Sequence, residues 1–152
     1  MKKENKRMTF LDEINNAKKE QMNVNEAITT EIVDWFITRL NSKEFEDGLK
    51  KQIINDIKGN TETKILVEFW EYHPGCSPTS FRVGSLTWDN GYGYDSWFYK
   101  GVELECLCQD ITIRIIDALR NKLHELGLMV KVEDATSNYR FGYPHYVVHI
   151  QV

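Results

Sequence analysis

Aromatic rings, arginines and amide-bearing turns are the groups in this chain that could do chemistry. Ten of its eighteen aromatic residues fall between Phe69 and Tyr99. The densest part, Trp88-Asp89-Asn90-Gly91-Tyr92-Gly93-Tyr94-Asp95-Ser96-Trp97-Phe98-Tyr99, alternates rings with turn formers. No single regular element can bury all of them, so some line a surface, where large flat groups stack on a ligand or a partner. Phe81, Trp88, Tyr92, Tyr94 and Trp97 are the candidates for a platform under a base, a sugar or a peptide. Stacking a base on such a ring contributes about 1–3 kcal/mol. Asn90 and the glycines beside it would offer amide groups to a polar edge. The competing reading places Trp70, Trp88 and Phe98 in the core and the tyrosines at a sheet edge or subunit interface, where Tyr and Trp are enriched.

Four arginines stand out in the second half: Arg82, Arg114, Arg120 and Arg140. Arg140 lies between Tyr139 and Phe141, close to Gly142-Tyr143-Pro144. A guanidinium flanked by rings suits a phosphate or carboxylate, because its fork donates two parallel hydrogen bonds; it could equally be a solvated arginine stacking on Tyr139. Arg82 follows Phe81 on a strand, so the two side chains take opposite faces. Arg114 and Arg120 fall on a helix with Asp110 and Asp117 in pairing reach, and a surface ion pair is the better reading of both.

Metal and nucleophile chemistry find less support. His73, Cys76, Cys106 and Cys108 could supply four N/S ligands, but a helical Cys-x-Cys sends its thiols about 200° apart. Cys108 also sits on an apolar stripe, as a small hydrophobe would. His145 and His149 share a strand face about 13 Å apart, too far for one metal. Cys76 with His73 as base is conceivable, yet a turn rich in Pro and Gly needs no chemistry to explain it. No phosphate-binding loop, nucleophile elbow, His-Glu-x-x-His or His-x-Thr motif is present. The expectation is a protein that binds rather than catalyses, with no metal and no cofactor.

The elements that must position these groups follow from periodicity. Residues 1–8 read as a polar tail and 9–152 as one domain, a length sufficient for a core without staples. Thr9 with Asp12 predicts a capped helix start with Phe10, Leu11 and Ile14 as a short apolar face. Asn25 predicts a second cap, followed by the stripe Ile28, Ile32, Trp35, Phe36 and Leu40. Ser42 restarts or bends the helix. Phe45, Leu49, Ile53, Ile54 and Ile57 continue the stripe to a left-handed cap at Gly59-Asn60. Period two then sets Ile65, Val67 and Phe69 against Leu66, Glu68 and Trp70. Phe81 to Trp88 reads as a second strand with Gly84 as a bulge or close-approach position. A long helix is predicted from Val102 to Gly127, then strands at Leu128–Glu133 and Tyr146–Val152, joined by the loop Asp134–Pro144. The result is an α+β fold, α-α-β-β-α-β-β, with helices on one face of a four-stranded, mostly antiparallel sheet.

Net charge is −4 and lies wholly in the second half: residues 1–64 hold twelve Lys/Arg and twelve Asp/Glu, residues 65–152 seven and eleven. That argues against general nucleic-acid binding. No apolar run reaches eighteen residues, so no membrane span is expected. Three cysteines and no apolar leader point to the cytoplasm.

The chain resembles small proteins of bacteriophages of low-GC Gram-positive hosts, and among them is similar to the phage anti-Thoeris sponge family. Phe81, then Asn90 nine positions later, and the late loop arginine Arg140 carry the resemblance. It implies an anti-defence protein of the host-cell cytoplasm that binds a cyclic ADP-ribose-type signal between subunits without cleaving it. Phe81 and Asn90 would sandwich the base, Arg140 would hold a phosphate, and Arg82 or Arg114 would add a second clamp. A homo-oligomer, dimer or larger, is implied as well. With the rings at Trp88, Tyr92, Tyr94, Trp97 and Tyr139, these are the expected ligand-binding residues. The alternative is a protein–protein inhibitor or adaptor of a host defence factor, docking through the same aromatic patch.

Overall fold

The computed structural model describes residues 9–69, 81–83, 86–88, 98–138 and 143–152. The expected tail 1–8, the turn around His73 and Cys76, and Gly84 lie outside them. Helix α1 spans Phe10–Leu40 and α2 spans Lys43–Lys58; strand β1 is Thr63–Phe69, β2 Phe81–Val83 and β3 Leu86–Trp88. A small hairpin follows, β4 at Phe98–Tyr99 and β5 at Val102–Glu103, then α3 at Cys108–Glu125, β6 at Met129–Asp134 and β7 at His145–Gln151.

Two layers result, as the amphipathic patterns require. The main sheet is antiparallel with strand order β3-β2-β1-β7-β6, and β4-β5 stands apart from it. The sheet has five strands rather than four, because the stretch expected as one strand over 81–88 is two short ones. Val83 pairs with Leu86, so β2 and β3 run antiparallel to each other. Thr63, Ile65, Val67 and Phe69 on β1 are buried against the helices, while Lys64, Leu66 and Glu68 take the open face. Val148 and Ile150 of β7 extend the buried face beside Ile65 and Thr63. The core gathers Ile32, Phe36 and Leu40 of α1 with Ile111, Ile115, Leu119 and Leu123 of α3, all nearly sealed from solvent.

The helix starts and stops show which local signals prevailed. Thr9 and Asp12 form the expected capping box, with Asp12 N–H donating to Thr9 Oγ1 (3.1 Å) and Thr9 N–H to Asp12 Oδ2 (3.2 Å). Asn25 is not a cap: α1 runs through it unbroken for 31 residues, and its Oδ1 accepts from Gln21 Nε2 one turn earlier (2.8 Å). An asparagine favours a cap only where the helix has somewhere to end, and the buried stripe beginning at Ile28 continues the same helix. Phe10, Leu11 and Ile14 do not reach the core; Phe10 is 81% exposed. Ser42 does cap α2, its hydroxyl accepting from Phe45 N–H (3.2 Å). Ile54 and Ile57 fall outside the buried stripe of α2, unlike Phe45, Leu49 and Ile53. At its end Asn60, with φ 51°, takes the left-handed position, and Thr61 N–H reaches back to Asp56 O (2.8 Å). Gly127, with φ 80°, closes α3 in the same manner, Leu128 N–H donating to Leu123 O (2.9 Å).

The third helix begins at Cys108 and not at Val102, because Lys100 and Gly101 both adopt positive φ and turn the chain into the β4–β5 hairpin first. Val102, Leu104 and Leu107 are buried all the same. Ser42→Ala is expected to cost about 1 kcal/mol through loss of the α2 cap, whereas Asn25→Ala should be neutral or slightly stabilising because position 25 is helix interior. Urea unfolding of the two variants checks both; an equal loss in Asn25→Ala would mean that the helix is interrupted there.

Candidate functional site

Strand register brings several functional candidates to one end of the sheet. Phe81 pairs with Phe69 on one side and Trp88 on the other, and Phe69 N–H donates to Pro144 O (2.9 Å). β6 stops two residues short of that row, with Asp134 opposite Tyr146 and Tyr146 opposite Val67. From this one row the chain leaves β1 into 70–80 and β3 into 89–97, and it returns into β7 from 139–142. Asn90, Tyr92, Tyr94, Trp97, Tyr139 and Arg140 belong to those segments and lie outside the described residues. Phe81, Arg82 and Trp88 are described by backbone position alone.

The next row inward is polar. Arg82 stands opposite Glu68 on β1, and Glu68 stands opposite His145 on β7. His145 is 4% exposed, and its Nδ1 lies 3.1 Å from Glu68 Oε2. Its backbone N–H donates to Thr136 Oγ1 (3.1 Å), and Ala135 N–H donates to its carbonyl (2.9 Å), so the 3₁₀ turn Thr136–Asn138 is tied to the start of β7. Asp134 Oδ1 accepts from Thr136 N–H (3.0 Å), and the Thr136 hydroxyl first, then that N–H, hold the Asp134 carboxyl below its ordinary range. Tyr143 packs its ring 5.7 Å from Phe69, and Gln109 Nε2 at the start of α3 donates to Tyr146 OH (2.9 Å). The base of this end is therefore fixed by core packing on one face and by a buried histidine–carboxylate pair on the other.

The Glu68–His145 pair is absent from the sequence reading. The two residues are 77 positions apart, and only the β1–β7 register joins them. Period two sets Glu68 on the face opposite Ile65, Val67 and Phe69, and puts His145 on one face with His149, but joins neither residue to the other. His149, farther along that face, has Nδ1 3.0 Å from Glu62 Oε1 and Nε2 3.2 Å from Glu133 Oε2. Both of its nitrogens are thus directed at carboxylates.

Comparison with protein-family models, curated proteins and solved structures finds no match.

Arg114 is the one proposed clamp whose side chain is described, and its fork is already occupied. Nη1 and Nη2 donate to the two oxygens of Glu26 (2.8 and 2.9 Å), while Nε reaches Asp110 Oδ1 (3.2 Å). The bonds hold the Glu26 carboxyl below its usual range and push the guanidinium's affinity for its proton further up. The bidentate contact ties α3 to α1; the partner on α1, Glu26, lies 88 positions away and was not foreseen beside Asp110. Glu31 plays a similar part for the small hairpin, accepting from Lys100 Nζ (2.7 Å) and Tyr99 OH (2.8 Å), which lowers its carboxyl.

Cys106 and Cys108 sit in the turn before α3 and at its first residue. Cys106 is exposed; Cys108 is buried, its Sγ donating to Glu105 O (3.0 Å), and burial pushes the thiol up to about 11. Among the described residues no three His, Cys, Asp or Glu side chains gather as a metal site. Alkylation at pH 8 followed by fragment mass spectrometry should label Cys106 and spare Cys108 in the folded protein, since the thiolate is the reactive form. Equal labelling would contradict this burial. No described helix is long and apolar enough to cross a membrane.

Among the described residues, a concavity of about 360 Å³ opens at the opposite end of the molecule, lined by Leu49, Ile53, Ile54, Leu126 and Leu128 with Glu46, Asp47 and Lys50. Its walls carry no aromatic ring and no arginine, so it lacks the groups that would recognise a nucleotide.

Proposed function

We propose that this protein binds a cyclic ADP-ribose-like nucleotide and sequesters it without chemical change, as a phage-type anti-defence protein acting in the host cytoplasm. The ligand stacks on rings of the 88–99 segment and of Phe81 and Tyr139, Asn90 contacts the base edge, and Arg140 holds a phosphate. Arg82 is the second clamp, and Arg114 is assigned to the α1–α3 tie. One observation carries the reading: the segments that bear six of the ten expected ligand residues are anchored at the same end of the sheet as Phe81, Arg82 and Trp88. A rigid scaffold with variable segments at one end is how folds commonly present binding groups. Sequestration requires stacking surfaces and phosphate donors and no general base, which fits the residue types that those segments carry in sequence.

A thermal-shift panel of cyclic ADP-ribose isomers and cyclic oligonucleotides tests the proposal. A ligand that binds only the folded state raises the melting temperature in proportion to ln(1 + [L]/Kd). A rise of several degrees with one member supports the reading; no shift with any, together with specific capture of a single host protein, sinks it. That second result would favour the adaptor alternative, docking through the same aromatic patch.

A further inference from the structure

The outer edge of β6 has a chemistry of its own. β6 is the last strand of the sheet, and among the described residues no strand pairs with its outer side. Ala135 N–H donates to His145 O, and this contact continues the β6–β7 register by one residue. Hydrogen-bonded and non-bonded pairs alternate along an antiparallel ladder, so Met129, Lys131 and Glu133 turn their backbone groups toward β7. Val130, Val132 and Asp134 turn their N–H and C=O groups outward. An edge strand with no described strand on its outer side is a template for another strand.

The side chains at this edge fit a second copy. Val130 and Val132 face the helix layer yet stay only half-buried, packed against the core and open on the outer side. Lys131 and Glu133 lie on the opposite face, exposed, with Glu133 Oε2 held 3.2 Å from His149 Nε2. Lys131 makes no ion pair among the described residues.

We infer that β6 pairs antiparallel with β6 of a second copy, about a two-fold axis at Val132, joining two five-stranded sheets into one. Outward backbone groups must meet outward backbone groups, so the even-numbered residues pair with one another. Three registers use most of the strand. One sets Lys131 against Lys131 of the other copy, and another sets Glu133 against Glu133; both oppose like charges. The third sets Val132 against its own copy, Val130 against Asp134, and Lys131 against Glu133 twice by symmetry. The last two lie in a non-hydrogen-bonded pair, where side chains approach most closely. A two-fold contact is self-complementary by definition, and this strand carries one positive and one negative group at equal distances from its centre. The pairing uses β6 alone and none of the expected ligand residues, so it stands whether or not a nucleotide binds.

Sedimentation equilibrium on the full chain without nucleotide, with Lys131→Glu, Glu133→Lys and the double exchange, tests the interface. The wild type should sediment as a dimer. Lys131→Glu should raise the dimer dissociation constant about a hundredfold, roughly tenfold for each symmetric pair turned from attraction to repulsion. The double exchange should recover most of the loss, since it restores unlike charges in the reversed sense, with far-UV circular dichroism confirming the fold of each variant. A wild-type monomer at every concentration, an unaffected Lys131→Glu dimer, or a double variant no tighter than Lys131→Glu would each overturn the pairing. The nucleotide thermal shift is read separately on the same variants, so failure of the interface and failure of the sequestering function are distinguishable.

Discussion

Replacing Phe36 by alanine is expected to lower the unfolding free energy by about 3–5 kcal/mol, a large part of the 5–15 kcal/mol that holds a domain folded. Phe36 is fully buried between α1 and the rest of the core, with its ring 5.0 Å from that of Trp35 in an edge-on arrangement at 83°. Its removal takes a large apolar surface out of contact and leaves a cavity that neighbours such as Ile32 and Leu40 can fill only in part. Phe10→Ala on the same helix should fall within about 0.5 kcal/mol of the wild type, because that ring is already in water. Chemical unfolding of both variants measures the contrast. A loss below about 1 kcal/mol for Phe36→Ala would place the α1 stripe outside the core.

The pair Phe36 and Phe10 also shows what periodicity conveys. Both sit on apolar helical spacing, and the sequence marks both as inward. Only the tertiary fold decides how far along α1 the other layer reaches, and it stops near Ile28, the first buried residue of the helix. Signals that depend on a few neighbouring residues were legible. The Thr9–Asp12 box, the helix break at Ser42, the left-handed end at Gly59-Asn60, the helix stop at Gly127, and the alternation along β1 all stand where expected. Signals that depend on competition between elements were not. Asn25 lost to a continuous buried stripe, and Val102 lost to a hairpin turn two residues earlier. The single strand expected over 81–88 is two, Phe81–Val83 and Leu86–Trp88. Contacts set by register, such as Glu68 with His145 or Arg114 with Glu26, have no local signature. Of the candidate site, the residue types were legible, and their common anchorage emerged only from the pairing of β1, β2, β3 and β7.

Arg140→Ala is expected to weaken nucleotide binding about ten- to a hundredfold, the loss of a charged hydrogen-bonding group worth roughly 1.5–3 kcal/mol. Arg140→Lys should recover only part of this, since an ammonium keeps the charge without the two-pronged geometry. Arg114→Ala should leave affinity unchanged while loosening the α1–α3 tie, because its fork is engaged by Glu26 and Asp110. Removing that bridge leaves Glu26 to titrate normally. The stabilisation from its lowered carboxyl, present above the ordinary carboxylate range and lost as acid protonates it, should therefore vanish in the variant. Titration of a fluorescent nucleotide into the three variants reads the affinities, and an Arg140→Ala protein that binds as the wild type does would remove Arg140 from the site.

Sequestration of a nucleotide is tested most directly by calorimetric titration of cyclic ADP-ribose isomers into the full chain, followed by heating the complex and identifying what is released. The account predicts saturable binding of one isomer and its recovery unchanged. Absence of binding heat with every isomer, or recovery of a cleaved product, would contradict it.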